Sequence, residues 1–380
     1  MIEQTPNSNG SSATYVKVRS AKIIIAGGGT GGHIFPAIAI ANAIKQLSSE
    51  TEILFVGAQG KMEMEKVPQA GYKIEGLDIA GFNRSSLIKN IGLPFKLIKS
   101  FLQVRKILNG FKPDAVVGVG GYSSFPVLKQ AQLKGIATFI HESNSFAGKT
   151  NIMLGRKATK IFVASDGMEK FFPAAKILIT GNPVRKSIAQ STVTRSQAFS
   201  FFNLNENKTT VLAVGGSLGA RSINEALLNK LDVFKANDLQ LIWQTGKTTA
   251  GAYKDKAKNH ENIWVDDFIT QMEMAYAAAD IVISRSGAMA VTELCVAKKP
   301  VIFVPFPFAA EDHQTVNAQT LVNKKAALMI RDSEVNEKLI GMTLSLAENK
   351  DLQRELSENI AKLAITNADE VIARDILTTI

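Results

Sequence analysis

The sequence predicts an α/β protein built from two Rossmann-like domains that face each other across a deep cleft. Three observations carry this. Apolar, β-branched strand runs alternate with helical stretches, the mark of buried parallel sheets. A strand–glycine turn–helix pattern that opens near Lys22 begins again at Thr209. Finally, 380 residues exceed one average domain and suit two.

The first half reads in order. "KIIIAGG" enters a glycine cluster and a helix from about His33 to Leu47 leaves it. "EILFVG" precedes "KMEMEKVPQAG", and "YKIEGLDIAG" leads to a helical region around Leu87–Leu108. "PDAVVGVGGYSS" precedes "FPVLKQAQLKG", "ATFIHESN" precedes "KTNIMLGRKA", and "KIFVAS" and "KILITGNPVR" close the half. The second half opens on "TTVLAVGGSLGARSINEALLNKL" and continues through "LQLIWQTG", "NIWVDDF", "DIVISRSGAMAVTEL" and "KPVIFVPFP". The final stretch from Leu352 is an amphipathic packing helix with a solvated face. The predicted division is a polar tail over 1–20, an N-terminal domain over 21–184, and a linker over 185–208. A C-terminal domain follows over 209–362, with a last helix over 363–380 that packs back on the N-terminal domain.

Composition bounds the chemistry. A net charge of +10 favours anionic partners: phosphates, nucleic acid or an anionic membrane surface. A single cysteine, Cys295, excludes an intramolecular disulfide, and it reads as a buried small apolar residue. Four histidines without a His-x-x-x-His pair give no dedicated zinc site, so neither metal nor cofactor is expected. No apolar run reaches the roughly 18–20 residues of a membrane span. The polar N-terminus lacks a signal core. A cytosolic location follows as the expectation.

Open parallel sheets bind ligands at the carboxyl ends of their strands, where all four glycine-rich segments fall. Gly27-x-Gly29-x-x-Gly32 satisfies the dinucleotide fingerprint. A nicotinamide site would also need an acid at the end of the second strand, and that strand ends at Gly57. The turn therefore reads as phosphate-proximal without a nicotinamide role. His33, directly on it, is the candidate general base, because a helix N-terminus favours neutral imidazole. "GVGGY" adds small residues to the cleft. In "GGSLGA", Ser217 offers a hydroxyl beside backbone donors, which suits a diphosphate. In "SRSGAMAVTE", Ala288 to Thr292 begin a helix after Gly287, and Glu293 suits ribose hydroxyls. Glu311 to Gln314 form a polar loop suited to a sugar.

Arg84–Lys106 holds six basic residues and no acidic one. Among them Lys89, Lys96 and Lys99 alternate with Phe95, Phe101 and other large apolar residues. This pattern predicts contact with an anionic membrane surface. Nucleic acid is not expected, since stacking aromatics are sparse and no nucleic-acid module is present.

Taken together, "GGGTGGHIFPAIAIA", "GVGGYSSFP", "HESN", "GNPVR", "GGSLGA", "SRSGAMAVTE" and "AEDHQ" occur in the order found in the MurG family. The resemblance runs from about Ala21 to Ile380. That family adds N-acetylglucosamine (GlcNAc) from UDP-GlcNAc to undecaprenyl-linked muramyl-pentapeptide, lipid I, during peptidoglycan synthesis. The resemblance implies a GT-B fold, an inverting hexosyltransferase, and peripheral attachment to the cytoplasmic face of the inner membrane. Its implied partners are UDP-GlcNAc, lipid I, the anionic inner leaflet and other cell-wall synthesis proteins. By the family pattern, Thr30, Gly31, Gly32, Asn144, Arg185, Ser217, Ile269, Ala288, Met289, Ala290, Val291, Thr292, Glu293 and Gln314 contact the donor. Ile269 would read uracil through its backbone, and Glu293 would hold the ribose. Gly120, Gly121, Tyr122 and His141 match acceptor or cleft positions, and Glu142 is the second choice of base after His33. Ser143 and Leu218 depart from glutamines common in the family. A UDP-GlcNAc 2-epimerase or another GT-B lipid glycosyltransferase is the alternative.

Overall fold

The computed structural model describes residues 20–81, 92–216, 218–246 and 250–380. The first sheet comprises β1 (Lys22–Ala26), β2 (Glu52–Ala58), β3 (Lys73–Leu77), β4 (Ala115–Gly118), β5 (Ala137–Glu142), β6 (Lys160–Val163) and β7 (Ile177–Ile179). The second comprises β8 (Thr209–Val214), β9 (Leu239–Gln244), β10 (Ile263–Asp266), β11 (Ile281–Ser284), β12 (Val301–Phe303) and β13 (Leu328–Met329). Both are parallel throughout. Their orders are 3-2-1-4-5-6-7 and 10-9-8-11-12-13, so the second repeats the first six positions of the first.

This topology decides where the site lies. Strand order reverses between β1 and β4, and again between β8 and β11. A crevice opens at such switch points beyond the strands' carboxyl ends. The four glycine-rich segments follow β1, β4, β8 and β11, so each half brings two of them to its own switch point. The centres of the strands there are apolar and buried: Ile23, Ile24 and Ile25 in β1, and Val211, Leu212 and Ala213 in β8. Helices cover both faces, which is why these strands read as continuous apolar runs.

Three elements differ from the sequence reading. The basic helix is Leu93–Phe111, and the earlier part of its predicted span lies outside the described residues. The strand β13, only two residues long, carries too little pattern to be read. The final stretch is two helices, Lys350–Ala361 and Ala368–Thr379. Between them Ile365 lies against Gly181, where a Cβ on the glycine would fall 2.9 Å from it. That crossing returns the chain to the first sheet. There Ile372, Ile376 and Leu377 bury in the core that holds Ile40 and Ile44 of the helix Gly31–Leu47. Each such side chain contributes roughly 1.5–3 kcal/mol, so this last helix ties the chain's end to its beginning.

Candidate active site

The N-terminal wall is two interlocked glycine turns. A Cβ on Gly27 would fall 2.5 Å from the Gly120 carbonyl oxygen, and one on Gly121 would fall 2.5 Å from that of Gly28. Only glycine lets the turns after β1 and β4 touch. The glycine amides of the first turn are consumed. Gly27 donates to Val56 O (3.1 Å) and Gly28 to Gly120 O (3.3 Å). Gly29 donates to Oε2 of Glu63 (2.9 Å). A carboxylate of the protein thus sits against the part of the turn that precedes Thr30. In this turn the amides of Thr30, Gly31 and Gly32, at the start of the following helix, are left to a ligand.

His33 stands half-buried on that helix, with Nδ1 3.0 Å from Gly28 O. A carbonyl only accepts, so Nδ1 carries the hydrogen and Nε2 is left as the basic nitrogen. A Cβ on Gly120 would fall 2.8 Å from Nε2, so the glycine keeps that edge of the ring uncovered. Burial lowers the pKa of His33, opposed by the Gly28 carbonyl, Glu142 and Glu63. His141, on β5, is fully buried. Burial pushes it down to about 4, so it is neutral at physiological pH. Tyr122 lies half-buried with its ring against Gly81. Its phenol pKa is raised by burial and by Glu63.

Glu142 is corrected as a candidate base. Its Oε1 accepts from the amide and the side chain of Asn144 (3.1 and 3.3 Å). Its Oε2 accepts from Gly148 N and Asn151 Nδ2 (3.1 and 2.9 Å). A carboxylate with both oxygens so occupied, and 4% exposed, organises the loop after β5. That loop reaches the other half of the chain: Ser145 N donates to Asn317 Oδ1 (3.0 Å), and Asn317 Nδ2 donates to Asn144 Oδ1 (3.3 Å).

On the opposite wall, the turn after β8 is also locked by glycines. A Cβ on Gly219 would fall 2.0 Å from Thr245 O, and one on Gly246 2.1 Å from Gly219 N. Ser217 lies outside the described residues. Gln244 braces the region with a neutral amide: Nε2 donates to Gly216 O and Oε1 accepts from Ile269 N, both at 3.0 Å. The Ile269 amide is therefore engaged, which leaves its carbonyl for a base. After β11, Gly287 caps the helix Ala288–Ala297 in extended conformation, exposing that helix's first amides. Met289, Ala290 and Glu293 share this helix with Val291, Thr292 and Ala288. The last three line a cavity of about 320 Å³ between the halves, with Asn182 and Asn317. Asn182 Nδ2 bridges to Thr292 Oγ1 (2.9 Å).

Glu293 is buried and held by a fork. Arg185 Nε and Nη2 donate to its two oxygens at 2.9 and 3.0 Å, and the Tyr276 hydroxyl adds 3.2 Å. Burial opposes the Arg185 charge, but Glu293 outweighs it and the guanidinium is held above its usual range. Tyr276 is raised well above the usual phenol range by burial and by Glu293. Gln314 accepts from Phe306 N (3.0 Å), beside Gly287.

Profiles of the glycosyltransferase family 28 N-terminal and C-terminal domains match residues 23–163 and 210–373. The N-acetylglucosamine transferase of Phocaeicola vulgatus that acts on N-acetylmuramyl-(pentapeptide) pyrophosphoryl-undecaprenol is 53% identical over 358 residues, 93% of this chain and 95% of that protein. The chain belongs to glycosyltransferase family 28, in its MurG branch. Among solved structures, Acinetobacter baumannii MurG superposes with a TM-score of 0.78 at 30% identity, covering 95% of this chain and all of that one. The UDP-GlcNAc 2-epimerase of Neisseria meningitidis, TM-score 0.65 at 16% identity over 94% of this chain and all of that one, shares the fold alone.

Within this family 28 glycosyltransferase, the basic helix Leu93–Phe111 lies beyond the cleft. Phe95, Ile98 and Leu102 form an outward stripe at 75%, 62% and 64% exposure. Phe101, expected in that stripe, turns toward Phe125 in an edge contact, ring centroids 6.1 Å apart. Lys96 and Lys99 both pair with Asp78 (3.7 and 2.8 Å), which offsets part of their charge. Lys89 lies outside the described residues. No helix among the described residues is long and apolar enough to cross a membrane.

Two anchors of the site escaped the sequence reading. Glu63 sits in an ordinary charged helical stretch with nothing to mark it as 1% exposed. Arg285 donates to Val304 O (3.0 Å), Pro305 O (3.1 Å) and Asp332 (2.6 Å), tying together the loops after β11, β12 and β13. Its place in "SRSG" beside a glycine turn was the available signal.

Proposed function

We propose that this glycosyltransferase moves GlcNAc from UDP-GlcNAc to the muramyl 4-hydroxyl of undecaprenyl-pyrophosphoryl-MurNAc-pentapeptide, with inversion. The observation that carries this reading is the buried Glu293–Arg185 fork across the cleft from a neutral, singly oriented His33. The activity of its relatives supports the same substrates.

The donor belongs to the second half. Glu293 accepts ribose hydroxyls while Arg185 holds the carboxylate in place, and the Ile269 carbonyl faces the uracil. The first amides of the helix Ala288–Ala297 and the Gly215–Ala220 turn receive the diphosphate. Charge developing on the leaving UDP is stabilised by these fixed dipoles. Gln314 reaches the sugar.

The acceptor belongs to the first half, with Gly120, Gly121 and Tyr122. Its 4-hydroxyl oxygen attacks the anomeric carbon from the face opposite UDP. The carbon–phosphate oxygen bond breaks, UDP leaves with that electron pair, and the hydroxyl proton passes to His33 Nε2. Glu142 holds the Asn144 loop in place. The exposed Phe95–Ile98–Leu102 stripe, rimmed by Lys96 and Lys99, meets the anionic cytoplasmic leaflet where the lipid acceptor resides.

The test is transfer of labelled GlcNAc from UDP-GlcNAc to a short-chain lipid I analogue. The reading requires formation of the β-linked disaccharide lipid. A folded sample that binds UDP but forms no such product overturns it.

A further inference from the structure

We propose that Glu63 is a positioning residue of the transfer reaction, holding the Gly27–Thr30 turn and, through it, the basic nitrogen of His33. The proposal rests on the reading of His33 as the base.

Glu63 begins the short helix Glu63–Gln69 and is 1% exposed. Its two oxygens each accept a backbone amide from a different segment: Oε1 from Ala58 N at the end of β2 (3.0 Å), and Oε2 from Gly29 N in the turn (2.9 Å). Two glycines vacate the space it fills. A Cβ on Gly28 would fall 2.4 Å from the carboxyl carbon, and one on Gly57 2.5 Å from Cγ. The residue thus clips the glycine turn to the neighbouring strand.

The next link is His33. Gly28 lies one residue from the amide that Glu63 holds, and its carbonyl receives Nδ1 of His33. Shifting Gly29 moves that carbonyl, and with it both the tautomer and the aim of Nε2. Among the described residues Glu63 has no lysine or arginine partner within ion-pair distance, so its charge is not spent on a salt bridge. The charged and titratable groups that bear on His33 are Glu63 from its helix, Glu142 and His141 from β5, and His313 from the helix His313–Asn323. Glu63 and Glu142 favour imidazolium, whereas burial and His313 oppose it. Removing the Glu63 charge therefore has a defined sign: the proton is held less well on His33.

A plain structural clip and a positioning residue diverge in kinetics. In Glu63→Gln the shape is kept, the charge is lost, and one amide meets a donor in place of an acceptor. The expected result is a fall in kcat of about tenfold or more, with the KM for UDP-GlcNAc within about twofold. The acidic limb of the kcat profile should move to lower pH. Glu63→Asp keeps the charge and reaches one amide only; kcat should fall several-fold with that limb unmoved, which serves if the glutamine variant does not fold. A folded Glu63→Gln with wild-type kcat and wild-type acidic limb overturns the proposal, as does a wild-type kcat in Glu63→Asp. His33→Ala is measured alongside. If that variant turns over normally, the base assignment itself fails; if it collapses while both Glu63 variants are normal, only the role of Glu63 fails.

Discussion

The turns after β1 and β8 share one pattern, strand, glycines, helix, at equivalent places in two sheets of matching order. They differ in what braces them. The first is closed by a carboxylate, Glu63, which takes the Gly29 amide. The second is braced by a neutral amide, Gln244, which donates to the Gly216 carbonyl and accepts from Ile269 N. A negative charge built against a glycine turn repels a second anion, whereas a donor placed on a carbonyl does not. In the function proposed above, the same fingerprint divides the labour: proton chemistry at the first turn, diphosphate at the second. Glycine-rich sequence reports how closely a backbone can approach, and the residue behind the turn decides what approaches it.

The largest effect that would break this division comes from His33→Ala. Turnover should fall by about 10²–10⁴ while UDP affinity stays within about twofold. In the wild type, the rate should fall with acid around a midpoint below 6.5, because burial lowers the His33 pKa. A midpoint above that value would contradict the base assignment.

Glu293→Ala should show the converse. Hydrogen bonds to a charged group are worth about 1.5–3 kcal/mol, so UDP affinity should drop by one to two orders of magnitude, read by calorimetry. Unchanged affinity would remove its ribose role.

A third effect sharpens the contrast through stability. His141 has a pKa of about 4 in the fold against the ordinary 6.5. Between those values the unfolded chain binds the extra proton, so stability is lost as pH falls through that window. The loss is roughly 3 kcal/mol when complete. Urea midpoints should fall from pH 6.5 to 4, and His141→Gln should flatten the trend.

The smallest effect is at the surface. Replacing Phe95, Ile98 and Leu102 by serine should weaken binding to anionic vesicles while leaving transfer to a water-soluble acceptor intact. Equal vesicle binding would reduce the stripe to an ordinary exposed helix face.

The sheets and their switch points were legible because strands buried on both faces are β-branched runs and the turns are marked by glycine, both local signals. His33 was legible for the same reason: it stands on the turn. Glu63 was not, since its role depends on Gly28 and Gly57 emptying one volume from two distant positions. Gly57 stands near the end of β2 where an acid would be needed, and Glu63 of the next helix fills the gap that this glycine leaves. Glu142 looked like a free cleft carboxylate until four donors were found on it. Phe101 and Phe95 are both aromatic members of one basic helix, and only the neighbouring Phe125 tells their faces apart.

The division between the two turns is tested most directly by amide hydrogen exchange with and without UDP. The account predicts slowed exchange at the start of the helix Ala288–Ala297 and across the Gly215–Ala220 turn, with Gly27–Gly29 unchanged. Protection gained at Gly27–Gly29 on adding UDP, without protection at the second turn, would contradict it.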